Sequence, residues 1–126
     1  MAWLERAGLV LFAADREASV RFYRDIVGLK LFKATDYVTV LDFGAAYLMI
    51  EPGGAAVAGG KDRSQSPMTL RFNVADVAAE AERLRRYGVT VAVAVHDWGT
   101  IGTFHDPDGN VCELRNHFDG FFAPAQ

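Results

Sequence analysis

The chain has 126 residues, 51% of them hydrophobic and 23% charged. That composition suits one globular domain with a core and excludes the disordered and membrane-embedded classes. Thirteen Lys and Arg against sixteen Asp and Glu give a net charge of −3, and without a basic run to neutralise phosphates, nucleic-acid binding is disfavoured. The single cysteine, Cys112, rules out an intrachain disulfide and a thiolate metal cage. Glu5 and Arg6 interrupt the N-terminal apolar stretch, and no later run approaches a membrane span. A cytoplasmic protein with no membrane partner is the expectation.

In chain order, residues 9–14 form an apolar strand-like run, and Asp15 is placed as a helix N-cap. Residues 16–27 put Val20, Tyr23 and Val27 on one helical stripe with Phe22 and Ile26 beside it, and Gly28 stands where a left-handed terminating residue belongs. Residues 37–43 and 46–51 read as two strands joined through Gly44 and Ala45, the second ended by Pro52, Gly53 and Gly54.

The same grammar then restarts. Residues 69–74 read as a strand, Asp76 as an N-cap, and Val77, Ala81 and Leu84 as a helical stripe that stops at Gly88. Phe12 to Gly28 and Phe72 to Gly88 each span 16 positions, the mark of a duplicated βα unit. Residues 89–95, 100–104 and 111–115 supply the trailing strands, and Asp106, Pro107, Asp108 and Gly109 suit a type I turn. That chemistry explains the four residues fully, so they speak for fold and not for catalysis.

Each half is therefore β-α-β-β-β and too short to hold a core alone, which requires the halves to pack on one another or on a partner chain. The expected organisation is one domain over residues 1–126: a first module at about 5–52, a linker or flap at 53–67, a second module at about 68–116 and a tail at 117–126.

Two motifs carry a family resemblance over nearly the whole chain. Asp15 followed by Ser19-Val20-Arg21-Phe22-Tyr23-Arg24-Asp25-Ile26-Val27-Gly28-Leu29 resembles the first-helix signature of the vicinal oxygen chelate superfamily, and Phe104-His105-Asp106-Pro107-Asp108-Gly109-Asn110-Val111-Cys112-Glu113-Leu114 resembles its final hairpin, with Trp98-Gly99 fitting upstream. The resemblance implies an α+β fold of paired βαβββ modules whose mixed sheets curl around a concave cavity, completed by homodimerisation. It leaves the chemistry open among glyoxalases, dioxygenases, epimerases, fosfomycin-resistance enzymes and bleomycin-resistance proteins. Metalloenzymes of the superfamily bind a divalent ion at four positions, which here resemble Gly8, Met49, Thr69 and Glu113. Only Glu113 is a ligand of the expected kind, and a divalent catalytic ion needs about three protein ligands. A shifted register would add Glu51 without supplying an imidazole. His96, His105 and His117 match none of the ligand positions, so no metal and no cofactor are expected.

Strand alternation indicates what replaces the metal. Leu70, Phe72 and Val74 should pack against a helix, which turns Thr69, Arg71 and Asn73 to the concave side. The same parity sends Val111, Glu113 and Arg115 inward and places Val10 and Phe12 with Tyr47, Met49 and Glu51. The candidate ligand-binding residues are thus Phe12, Tyr47, Met49, Glu51, Arg71, Asn73, Glu113 and Arg115, apolar walls with sparse polar groups as an organic ligand requires. The bland reading is that Arg71 simply pairs with Glu113 while Phe12, Tyr47 and Met49 are plain core. Two functions follow: a metal-independent, homodimeric protein binding a small organic ligand, or a glyoxalase-type lyase or dioxygenase with an atypical metal set that includes Glu113, the best candidate for a catalytic base.

Overall fold

The computed structural model describes residues 3–118, so residues 119–126 of the expected tail lie outside the described residues. The chain divides into two compact units, Met1–Gly59 with Asp106–Gly109, and Gly60–His105 with Asn110–Gln126. The division falls inside the segment read as a linker.

The first unit runs β1 (Gly8–Ala13), α1 (Arg16–Arg21), a π-wound turn (Phe22–Val27), β2 (Leu31–Ala34), β3 (Thr39–Phe43) and β4 (Ala46–Pro52). Its sheet has the order β1-β4-β3-β2, with β1 parallel to β4 and the other pairs antiparallel. Asp15 caps α1 by accepting a hydrogen bond from the Ala18 amide at 3.1 Å. Leu41, Leu48 and Ile50 are fully buried on the face against which α1 packs.

The helical stripe expected over residues 16–27 keeps its α winding only to Arg21. From Phe22 the turn widens, and the amides of Gly28 and Leu29 both donate to the Tyr23 carbonyl, at 3.1 and 2.9 Å. The wider winding buries both Phe22 and Tyr23, whose rings meet edge to face at 5.2 Å. It also carries the Tyr23 hydroxyl to the Asp106 carboxylate, to which it donates at 2.6 Å. Gly28 ends the turn in the left-handed region with φ +99°.

The second unit runs β5 (Leu70–Asn73), α2 (Val77–Arg86), β6 (Ala92–His96), β7 (Gly99–His105) and β8 (Val111–Arg115) in the sheet order β5-β8-β7-β6. The Asp76 side chain accepts from the Ala79 amide at 3.0 Å, and α2 buries Val77, Ala81 and Leu84, the stripe read from the sequence. Against it lie Leu70, Cys112, Leu114 and Phe104, all buried. The turn Asp106–Gly109 closes with the Gly109 amide donating to the Asp106 carbonyl at 2.9 Å.

Two features depart from the sequence reading. Residues 31–34 form the strand that a β-α-β-β-β order requires of the first half and that periodicity does not mark, because all four residues are exposed and show no alternation. The segment at 53–67 is structured by a local turn around Asp62, whose carboxylate accepts from the Ser64 hydroxyl and from the amides of Ser64 and Gln65. Those hydrogen bonds, led by the one from the Ser64 hydroxyl, hold the Asp62 carboxyl below its ordinary value.

Candidate functional site

The first unit groups its four candidates on one face. Gly8 pairs with Tyr47, Val10 with Met49 and Phe12 with Glu51 across the parallel ladder, so Phe12, Tyr47, Met49 and Glu51 project together, opposite the helix-packed side. Phe12 is 54% exposed and does not belong to the core, while Tyr47, Met49 and Glu51 are half-buried. Tyr47 lies across Gly8: a Cβ built there would collide with the ring carbons Cζ, Cε1 and Cε2. The Arg6 guanidinium lies 4.9 Å from the Phe32 ring centroid and 5.7 Å from that of Tyr47, and it donates to Asp42 at 2.9 Å.

The second unit groups the other four. Arg71 pairs with Glu113 and Asn73 with Arg115 in the β5–β8 ladder, while Thr103 and Ile101 of β7 stand opposite Glu113 and Arg115. Arg71 Nε donates to Glu113 Oε1 at 2.6 Å, which is the pairing that the bland reading of these two residues offers. Arg115 reaches the same oxygen only at 3.9 Å, and its Nε is buried without a hydrogen-bond partner among the described residues. Its guanidinium instead lies over the Trp98 ring, 4.2 Å from the centroid, and Trp98 stacks on His96 at 4.8 Å.

Beside this cluster lies a cavity of about 370 Å³ lined by residues 63, 66–69, 103, 111 and 113. Thr69 and Glu113, two of the four superfamily positions, therefore share one pocket. Arg63, Ser66, Pro67 and Met68 come from the segment read as a linker. Loop residues carry no periodicity, and the only sequence signal for them was their place just before the second module's first strand. His105, close to the final turn, lies against Gly60, where a Cβ would approach its Nε2 to 2.7 Å.

The superfamily's divalent metal does not fit these residues. The place of a ligand at Gly8 is filled by the Tyr47 ring, Met49 offers a thioether, and the Glu113 carboxylate is already engaged by Arg71. Among the described residues no group of three His, Cys, Asp or Glu side chains is placed to hold an ion.

No curated protein matches the chain. Among solved structures it is similar to a glyoxalase/bleomycin resistance protein/dioxygenase from Nocardioides, at 19% identity and TM-score 0.73, covering 98% of this chain and 89% of that one. It is also similar to TnmS3, an antibiotic binding protein from Streptomyces sp. CB03234, at 24% identity and TM-score 0.69, covering 93% and 98%. A third is a lactoylglutathione lyase from Agrobacterium tumefaciens, at 20% identity and TM-score 0.68, covering 87% and 91%. Likenesses at these identities concern the fold alone. The family model of the Glyoxalase/Bleomycin resistance protein/Dioxygenase superfamily matches residues 6–114, and with both βαβββ units in place the chain belongs to that superfamily.

Proposed function

We propose that the protein binds a small organic ligand without a metal, on the half-buried face of the second unit's sheet, and that it acts as a homodimeric binding protein rather than as a metal-dependent lyase or dioxygenase. The state of Glu113 carries this reading. The one carboxylate among the four superfamily ligand positions is engaged by Arg71 at 2.6 Å while it lines a cavity of about 370 Å³. A metal ion would have to displace that guanidinium, leaving a positive charge beside the new one. The volume lies in the range of small-molecule sites, roughly 300–1,000 Å³.

With Glu113 committed to Arg71, two cations are left to meet a ligand, Arg63 in the cavity wall and, beside the cavity on the β8 face, Arg115. The flat Arg115 guanidinium, held over Trp98, suits a carboxylate or carbonyl oxygen, and the indole offers area for an aromatic or apolar part. The fold itself is compatible with a binding role, since an antibiotic binding protein shares it. A chain of net charge −3 without a basic run favours a small molecule over nucleic acid. A cytoplasmic location goes with this reading; among the described residues no helix is long and apolar enough to cross a membrane.

Two measurements test the proposal. Elemental analysis of the purified protein should find no stoichiometric Zn, Ni, Mn or Fe, and about one ion per chain, lost in Glu113→Ala, would overturn it. In a Trp3→Phe background, where Trp98 is the remaining tryptophan, a panel of aromatic carboxylates should yield saturable quenching that Arg115→Gln weakens. Quenching indifferent to Arg115 would overturn the assignment of that residue.

A further inference from the structure

The first unit holds a second cavity, of about 310 Å³, lined by Arg16, Glu17, Val20, Arg21, Arg24 and Thr39. Arg16, Val20 and Arg24 follow one another at four-residue spacing through α1 and the π-wound turn that continues it, with Glu17 and Arg21 beside them in the lining. Thr39 opens β3 opposite Ile50, on the sheet face that α1 covers. Three guanidiniums and one carboxylate therefore surround one groove in a chain whose overall charge is negative.

The arginines are not equally engaged. Arg24 donates to Asp25 at 2.8 Å. Arg16 Nη1 is buried with no hydrogen-bond partner, and among the described residues neither Arg21 nor Glu17 makes an ion pair. A buried guanidinium N–H without an acceptor is costly, and the groove's one carboxylate, Glu17, makes no ion pair with Arg16. An acceptor-rich anion placed between Arg16 and Arg21 satisfies both, and tetrahedral oxyanions suit the donor fork of arginine.

We propose that this groove is a binding site for a small organic phosphate, its phosphoryl oxygens taken by Arg16 and Arg21 and its organic part lying along Val20 with a hydroxyl or amine toward Glu17. The volume exceeds what a bare oxyanion fills, and an apolar wall together with a carboxylate acceptor has no use for inorganic phosphate alone. Its lining residues all belong to the first unit, and none of them is among the residues proposed above to meet a ligand.

Titration of the full-length, ¹⁵N-labelled protein with glycerol 3-phosphate and, separately, with inorganic phosphate tests the proposal at matched ionic strength. The expected result is saturable shifts centred on the amides of residues 16–24, with glycerol 3-phosphate the tighter ligand. Arg21→Gln, at an exposed position, should weaken binding by about tenfold or more. Arg16→Gln should do the same where it folds, and Arg86→Gln, at the exposed end of α2 and away from both cavities, should change nothing. Absence of saturable shifts, binding unaffected by Arg21→Gln, or inorganic phosphate binding as tightly as the organic ester would each overturn the proposal.

Discussion

At Gly8 the lack of a side chain is first a packing requirement. Tyr47 stands beside it in the ladder and lays its ring where a Cβ would go, so Gly8→Ala must displace the ring or the strand. The expected loss is about 1–3 kcal/mol, the usual cost of overpacking, read as a lower denaturant midpoint at unchanged slope. Removing the ring as well, with Tyr47→Ala, should recover part of the loss; a double-mutant cycle without coupling would show that the ring is not the obstacle. Tyr23 presents the opposite case, a fully buried aromatic chosen for its hydroxyl, which donates to Asp106 at 2.6 Å. Tyr23→Phe leaves the ring and removes the donor from a buried carboxylate, and should cost about 1–3 kcal/mol. Arg71→Ala should be much cheaper, about 0–1 kcal/mol, because its side chain is 38% exposed and Arg115 remains near the carboxylate. In the titrations that report on Trp98, however, that variant should alter ligand affinity, since it frees Glu113 to repel an anion.

Among the elements, those that obey a local rule were legible and those that answer to a distant partner were not. Asp15 and Asp76 announced their helices because capping is a contact between residues three apart. The faces of β5 and β8 followed from alternation, which is why the opposition of Arg71 and Glu113 was foreseen as a possibility. The π-wound turn was not legible: a 3.6-residue stripe accounts for Val20, Tyr23 and Val27 equally well, and only the Asp106 carboxylate, 83 positions later, gives the wider winding something to satisfy. Phe72 was read as core, yet it is half-buried, stacked at 6.4 Å on the fully buried Phe104. Phe104→Ala, at about 3–5 kcal/mol, is therefore the severe truncation in this unit, and Phe72→Ala should cost less. The Asp62 turn escaped the sequence reading because loops have no period. Its carboxyl, held below the ordinary value of 3.8 chiefly by the Ser64 hydroxyl, favours the ordered turn wherever it is ionised. The favourable contribution is complete above the ordinary value and is lost as the pH falls through the lowered one. Amide exchange at Ser64 and Gln65, corrected for its intrinsic pH dependence, should thus stay slow near neutrality and lose protection only in strong acid, whereas Asp62→Ala should lose it at every pH.

At the scale of the whole molecule, the two sheets end in strands that invite a partner. In the first unit β2 is an edge with Leu31 47% and Phe32 58% exposed, and in the second β6 is an edge with Val93 38% and Val95 72% exposed. Edge strands left to solvent are usually blunted by charge, proline or a bulge. β6 carries none of these along its apolar stretch, and β2 offers a single lysine, Lys33, and an irregular register beside Leu31. Apolar side chains exposed along an unprotected sheet edge suit an interface, and closed two-fold dimers are the commonest way to cover one. Sedimentation at micromolar concentration should therefore show a dimer of the 13.8 kDa chain. Phe32→Glu and Val95→Glu, both at exposed edge positions and the former leaving Arg6 a carboxylate in place of the ring, separate the two edges: whichever edge forms the interface will yield monomers that remain folded by circular dichroism, because a two-fold axis places each substituted charge in the interface twice. A parent protein that sediments only as a monomer would refute the dimer outright. A dimer unaffected by either substitution would move the interface to the exposed face that carries Phe12.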